Sequence, residues 1–292
     1  MDMNIRSHFL RKVNKLEKYG YKILFSYAKL EVIILGKRTN HLGETNVNTK
    51  GTMMKIINYR SDEDIDIEFL DDHHFIKEHQ TYSNFKSGQL KNPYDKTMGG
   101  VGYIGVGKYK LHNEDLSNTP AYDAWTTMLM RCYIRKDKSP TYYGDVTVCD
   151  EWLCYQNFAE WYYNHTYPIP NNERLHLDKD IKHPKCNEYA PKNCMLVPQR
   201  INMLFSNKMN KRGLPNGIYL MKSGKYFARY NDKKLGKYPT LEEAYSVYAN
   251  AKENKIKEVA DEYKGIIPSD VYDTLINYKV LIENDKNYQC NK

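Results

Sequence analysis

The chain has 292 residues, of which 27% are charged and 41% hydrophobic, and its formal net charge is +8. No apolar run is long enough to cross a bilayer, and the N-terminal residues lack the apolar core of a secretory signal. The composition therefore excludes a membrane protein and indicates a cytoplasmic chain, which at this length usually forms more than one domain.

The first third of the chain predicts two small modules without recognisable chemistry. Residues 1–42 predict a helix followed by one or two strands. Residues 43–94 predict a compact β unit, because Ile65, Ile67 and Phe69 alternate with acidic residues and turn clusters separate the runs. We expect a small SH3-like β-barrel here, whose many acidic side chains disfavour direct contact with phosphate.

The next two segments differ in composition. Residues 95–118 are rich in glycine but lack the pattern of a phosphate-binding loop, so we expect a linker. Residues 119–205 predict an α+β domain that opens with a helix capped by Thr119, with proline in its first turn. Trp125 and Trp152 belong to aromatic stripes at helical spacing, which predict a buried core.

The stretch from Leu175 to Asn202 carries the first candidate chemistry. His176, Asp178 and Asp180 share one parity, so an extended strand would present an imidazole and two carboxylates on one face. Such a face suits a divalent cation or a hydrogen-bonded structural corner. A loop follows, and the chain then resumes as CMLVPQRIN.

The strings LDKDI and KNCMLVPQRIN resemble the ββα-metal core of HNH endonucleases, especially phage-encoded ones. The resemblance implies Mg²⁺ held by Asp178 and Asn202, and catalytic roles for His176, Asp178 and Lys179. Lys179 stands where the family has its general-base histidine, and an ammonium beside phosphate stays protonated. We therefore expect a degenerate core, with an active Mg²⁺-dependent homing-type endonuclease, using His176 as a displaced base, as the alternative.

A structural zinc site is a weaker hypothesis. Four cysteines could supply thiolates, and they are Cys149, Cys154, Cys186 and Cys194. Their spacing is irregular for zinc, and unpaired thiols more often pack as small apolar groups.

Positive charge is concentrated in residues 206–239, which contain nine basic residues and one acidic residue, Asp232. Localised basic surface is typical of nucleic-acid binding. Three short strands and a helix with a capping box at Thr240 and Glu243 are predicted here. The sequence leaves open whether Tyr226 or Phe227 faces this helix.

The string GKYFARY, followed by LGKYPTLEEAYSVYANAK, resembles the AP2-type DNA-binding domain, and we assign that domain to residues 206–264. The resemblance implies that the sheet enters the major groove of double-stranded DNA. Arg229 is the expected base reader, and the other expected contacts are lysines. The predicted DNA-binding residues are Lys222, Lys225, Arg229, Lys233, Lys234 and Lys237.

Residues 265–292 predict a last helix and a tail. Together these elements predict an α+β, multidomain DNA-binding protein of the phage type on a degenerate HNH scaffold. Besides the active endonuclease, a third hypothesis is a non-enzymatic inhibitor that binds a host nucleic-acid or defence enzyme as its protein partner.

Overall fold

The computed structural model describes residues 11, 14–15, 18, 21–26, 31–37, 40–134, 144–207 and 209–288. The fold is mixed α+β, as the sequence predicts, and the chain divides into two compact units, Met1–Asp95 and Lys96–Lys292. Most of the predicted N-terminal helix lies outside the described residues.

The first unit contains two antiparallel sheets. Strand β1 (Tyr21–Ser26) pairs antiparallel with β2 (Glu31–Lys37). The second sheet has four strands in chain order, which are β3 (Thr45–Val47), β4 (Met53–Ser61), β5 (Asp64–Phe69) and β6 (Ile76–Gln80).

The four-stranded sheet is open, so the expectation of an SH3-like barrel is wrong. Each strand pairs only with its neighbours in the chain, whereas a barrel requires its first and last strands to pair. A short helix, α1 (Tyr82–Lys86), follows β6 and places Phe85 in the same core as Ile65, Ile67 and Phe69. The helix therefore covers the apolar face that closure would have buried.

The second unit begins with a helical core. It is built from α2 (Pro120–Tyr133), α3 (Asp150–Leu153) and α4 (Tyr155–His165). The Thr119 side chain accepts a hydrogen bond from the backbone N–H of Tyr122 and caps α2, as predicted. Trp125, Trp152 and Phe158 are fully buried, which confirms that the aromatic stripes form the core.

The glycine-rich segment 95–118 packs along these helices. The backbone N–H of Tyr103 donates to the carbonyl of Leu153 at 3.0 Å. A Cβ at Gly102 would lie only 2.4 Å from a methyl carbon of Leu129, so glycine is required for this close approach. The segment expected to be a linker thus contributes to the core.

A strand–strand–helix arrangement follows. Strand β8 (Leu175–Asp178) pairs antiparallel with β10 (Met195–Pro198), which leads into α5 (Gln199–Leu204). Nearby, β7 (Thr147–Val148) and β9 (Glu188–Tyr189) form a short parallel pair.

The last sheet is antiparallel and has three strands, β11 (Ile218–Leu220), β12 (Tyr226–Tyr230) and β13 (Lys233–Tyr238). The long helix α6 (Leu241–Glu262) follows, and Thr240 accepts the N–H of Glu243 at its N-terminus. This confirms the predicted three strands, helix and N-cap.

Helix α6 belongs to two hydrophobic cores. Its N-terminal half packs Ala244 and Tyr248 against the three-stranded sheet, and its C-terminal half packs Ile256 and Val259 against the β8–β10–α5 arrangement. The C-terminal helix α7 (Ser269–Ile276) joins the second of these cores. Among the described residues, no helix is both long and apolar enough to cross a membrane.

Candidate nucleic-acid interface

The three-stranded sheet buries one face against α6 and leaves the other face in solvent. Tyr226, Ala228 and Tyr230 pack in the core shared with α6, and Ala228 is fully buried. Phe227 and Arg229 have the opposite parity in β12 and therefore lie on the solvent side, which we call the outer face. The structure thus assigns Tyr226 to the helix-facing set.

Strand pairing gathers cations on the outer face. Lys237 lies opposite Phe227, and Lys234 lies opposite Arg229. Lys225 is an even number of residues from Phe227 and Arg229, so it shares their face of the sheet. Of the other two predicted contacts, Lys233 pairs with Tyr230 and Lys222 lies in the turn after β11. All five lysines are exposed, and their ammonium groups have no hydrogen bond or ion pair with any described residue.

Arg229 is held by the turn that follows its strand. Its Nε donates to the carbonyl of Asn231 at 2.7 Å, and Nη2 donates to Oδ1 of Asp232 at 2.7 Å. Exposed ion pairs of this kind contribute about 0–1 kcal/mol. The guanidinium is therefore pre-oriented at the sheet, in a contact weak enough to exchange for a stronger acceptor.

Aromatic rings lie among these cations. Tyr219 and Phe227 pair across the first two strands, with ring centroids 6.2 Å apart. The Arg212 guanidinium lies 4.5 Å from the centroid of Tyr219. The outer face consequently combines charge with flat apolar surface, which suits sugars and base edges as well as phosphates.

A separate cavity of about 780 Å³ adjoins the β8–β10–α5 arrangement. His176 and Asn202 both line it, and His176 Nδ1 lies 3.1 Å from Asn202 Nδ2. Arg131, Arg174 and Glu173 line the same cavity. Burial lowers the pKa of His176, and the two guanidiniums lower it further, so the imidazole is neutral at neutral pH.

Asp178 performs a structural task in the turn after β8. Its Oδ1 accepts the backbone N–H groups of Asp180 at 2.8 Å and Ile181 at 2.7 Å. Burial raises the pKa of this carboxyl, and Asp178 is not among the residues that line the cavity with Asn202. This geometry does not fit Mg²⁺ shared by Asp178 and Asn202 within the cavity.

Lys179, which the resemblance to HNH proteins aligns with a histidine, is buried, with 5% of its surface exposed. Its Nζ donates to Oδ1 of Asp180 at 2.7 Å and to the carbonyl oxygen of Cys186. The amine therefore anchors the loop between β8 and β9 and is directed into the protein.

Among the described residues, one group has three metal-ligating side chains within mutual reach, namely Asp64, Asp66 and His79. The Arg60 guanidinium already bonds both carboxylates, at 2.6 Å to Asp64 and 2.5 Å to Asp66. A cation of the protein thus occupies the position of a metal. Within the described residues, the four cysteines considered for zinc form no such group.

Two cavity residues, Arg131 and Arg174, were not among the predicted catalytic or DNA-binding residues. The sequence contains a signal for Arg174. It directly precedes β8 and lies two residues before His176, so alternation places both side chains on one face. Arg131 lies on α2, far away in sequence, where a basic residue beside the aromatic stripe is an alternative candidate for contact with DNA phosphate.

The chain matches no protein-family model, no curated protein and no solved structure. The resemblances to HNH and AP2-type proteins therefore depend on the residues and geometry described above.

Proposed function

We propose that the chain binds double-stranded DNA and that the outer face of the three-stranded sheet lies in the major groove. The observation that carries this proposal is the outer face itself. Lys225, Lys234 and Lys237 are exposed there without a hydrogen bond or ion pair to any described residue, and Arg229 lies among them. Unpaired cations on one face attract a polyanion, because binding releases the counterions of the phosphates.

The sheet has dimensions suited to this task. The major groove of B-form DNA is about 12 Å wide and admits a helix or a narrow antiparallel ribbon. Strands β11 to β13 have three to six residues each, and α6 supports their rear face. Binding would therefore require little reordering of the backbone, which lowers its entropic cost.

Different side chains have different tasks in this proposal. Arg229 reads base edges, since its planar fork can engage guanine in bidentate fashion. Lys225, Lys234 and Lys237 contact phosphates and set the register. Lys222 and Lys233, at the turns, contact the flanking backbone.

The β8–β10–α5 arrangement supports a degenerate HNH scaffold of the phage type. It has the strand–strand–helix order of that core, but Lys179 anchors a loop and Asp178 caps a turn. The family uses these two positions for chemistry, whereas the side chains of Lys179 and Asp178 here stabilise the local structure. Helix α6 joins this scaffold to the DNA-binding sheet.

The test is duplex binding by fluorescence anisotropy over a range of salt concentrations. We expect the wild type to lose affinity steeply as salt rises. The double variant Lys225→Glu/Lys237→Glu should bind far more weakly, and its slope of log K against log salt should be smaller by about 2.

The matched control is Lys50→Glu/Lys55→Glu, which changes the net charge equally on exposed residues of the first unit. It should retain most of the affinity. Equal losses in the two double variants would overturn the assignment to the outer face. Affinity that does not depend on salt would favour the host-protein partner instead.

A second candidate function is phosphodiester hydrolysis at the cavity. It is favoured by a neutral imidazole beside Asn202, in a cavity with two guanidiniums. His176 Nδ1 accepts from the Asn202 amide, so Nε2 carries the proton of the neutral ring and would donate it to the leaving oxygen, while Arg131 and Arg174 would hold the phosphate. A plasmid-nicking assay with Mg²⁺ or Mn²⁺ tests this, and cleavage that is lost in His176→Ala but kept in His183→Ala would support it.

A further inference from the structure

A second pocket, of about 450 Å³, lies between α5, the three-stranded sheet and α6. Its lining includes Lys252 from α6, Tyr230 and Arg229 from β12, and Tyr248 from α6. The pocket is separate from the cavity that contains His176, since the two have no lining residue in common.

Lys252 is the most unusual residue of this pocket. Its ammonium makes no hydrogen bond and no ion pair with any described residue. Burial lowers the pKa of Lys252, and the Asp285 carboxylate acts in the opposite direction. An enclosed cation without a partner is costly unless an anion compensates it.

Asp285 cannot serve as this anion at close range, because both of its oxygens already accept amide hydrogens. Oδ2 accepts the backbone N–H of Asn216 at 2.9 Å, and Oδ1 accepts the backbone N–H of Asn287 at 2.9 Å. The side-chain amides of the same two asparagines add bonds of 3.1 and 3.0 Å. The carboxylate is therefore saturated by neutral donors.

The pocket offers further donors. The hydroxyl groups of Tyr230 and Tyr248 have no hydrogen-bond partner among the described residues. Burial raises the pKa of both phenols, so they remain protonated and can donate. Gly217 keeps the wall open, since a Cβ there would lie 2.3 Å from the Tyr248 ring.

We propose that this pocket binds a phosphate group, with Lys252 as its counter-charge and Tyr230 and Tyr248 as additional donors. A tetrahedral dianion or diester has enough acceptor oxygens to engage several donors at once. The phosphate is either that of a free nucleotide or one in the backbone of a nucleic acid. The site does not depend on the proposed DNA-binding function, because a free nucleotide can occupy it without a duplex.

The first experiment measures acylation of lysines by mass spectrometry on the intact protein, with and without ligand. Inorganic phosphate, a nucleoside 5′-monophosphate and a short duplex are tested separately at constant ionic strength. We expect ligand to protect Lys252 and to leave Lys257, on the same helix but outside the pocket, unchanged. Protection by the small ligands identifies a nucleotide site, and protection by the duplex alone identifies a backbone phosphate. Unchanged labelling of Lys252 with all three ligands would overturn the proposal.

A second experiment uses Lys252→Met, which keeps the side-chain length and removes the charge. Inorganic phosphate at about tenfold its Kd should raise the Tm of the wild type and of the control Lys257→Met by about 3 °C relative to chloride. It should leave the Tm of Lys252→Met unchanged, and an equal rise in all three proteins would contradict the assignment.

Failure of this proposal is distinguishable from failure of the DNA-binding proposal. Lys225→Glu/Lys237→Glu should lose duplex affinity while phosphate still protects Lys252. If Lys252→Met does not fold, the labelling experiment on the wild type still decides the question.

Discussion

Phe227 and Lys237 lie directly opposite each other on the outer face of the three-stranded sheet. On the other side of Phe227, its partner is Tyr219 of β11. A row across the sheet therefore contains the ring of Tyr219, the ring of Phe227 and the ammonium of Lys237, while α6 covers the opposite face. This row places flat apolar surface directly beside positive charge, and water solvates the exposed ammonium groups.

The ion pair between Arg229 and Asp232 leads to the first prediction. Asp232→Asn should strengthen duplex binding two- to fivefold, because it frees the guanidinium and removes a negative charge beside the phosphates. Fluorescence anisotropy at fixed salt measures this change. Asp72→Asn, an exposed carboxylate of the first unit, is the control and should have no effect. Weaker binding by Asp232→Asn would show that the turn must keep this ion pair.

The second prediction concerns the shared helix α6. Ile256 is 1% exposed and packs in the core with Ile181 and Ile201. Ile256→Ala should lower the free energy of unfolding by about 2–5 kcal/mol, since it leaves a cavity between the helix and the β8–β10–α5 arrangement. Urea denaturation measures this. Glu258→Ala, on the exposed side of the helix, should change it by at most about 0.5 kcal/mol.

Lys179 gives the third prediction. Restoring the histidine of the HNH pattern with Lys179→His should not produce nicking of plasmid DNA, because this side chain is directed into the protein. The variant should lose about 1–3 kcal/mol of stability, since the carbonyl of Cys186 loses its donor. Lys182→His, at an exposed position nearby, is the stability control. Gain of cleavage in Lys179→His would contradict the structural role.

The fourth prediction concerns the acid stability of the first unit. Hydrogen bonds from Arg60, and then from His79, lower the pKa of Asp64 to about 2, and Arg60 also holds the pKa of Asp66 well below its usual range. Carboxyls with a folded pKa below the unfolded value stabilise the protein above about pH 4, and this stability is lost as pH falls towards 2.

Arg60→Gln should therefore move the acid-unfolding midpoint of the first unit to higher pH. The amide signals of Ile65 and Ile67 in an NMR titration of the intact chain report on it. Lys55→Gln removes a positive charge from the same strand, β4, and should leave the midpoint in place. Identical midpoints in Arg60→Gln and the wild type would show that the two carboxylates titrate without the guanidinium.

Local patterns predicted the elements well. Thr119 and Thr240 cap helices as expected, because N-caps depend on a few adjacent residues. Ile65, Ile67 and Phe69 are all buried, since alternation in a strand decides which face is apolar. Alternation does not decide whether a sheet closes into a barrel, and for this reason the expectation of an SH3-like barrel was wrong.

Features that depend on distant residues were not predictable. The charge of Lys252 reads as part of a solvated helix face, and its enclosure requires the tail around Asp285 to cover it. The packing of residues 95–118 depends on Trp125 and Leu129 from α2. The sequence showed that Lys179 departs from the HNH pattern, but its contact with Cys186 depends on how the loop folds.

One continuous helix contributes to two cores, and this constrains how the protein can change in evolution. An α-helix turns by about 100° per residue, so one residue inserted between Ala249 and Ile256 would swing the two ends out of phase. The three-stranded sheet and the β8–β10–α5 arrangement could then no longer both pack against their own halves of α6. Length changes should accordingly be rejected within this span, and the three-stranded sheet should not fold when it is transferred to another protein without the C-terminal half of α6.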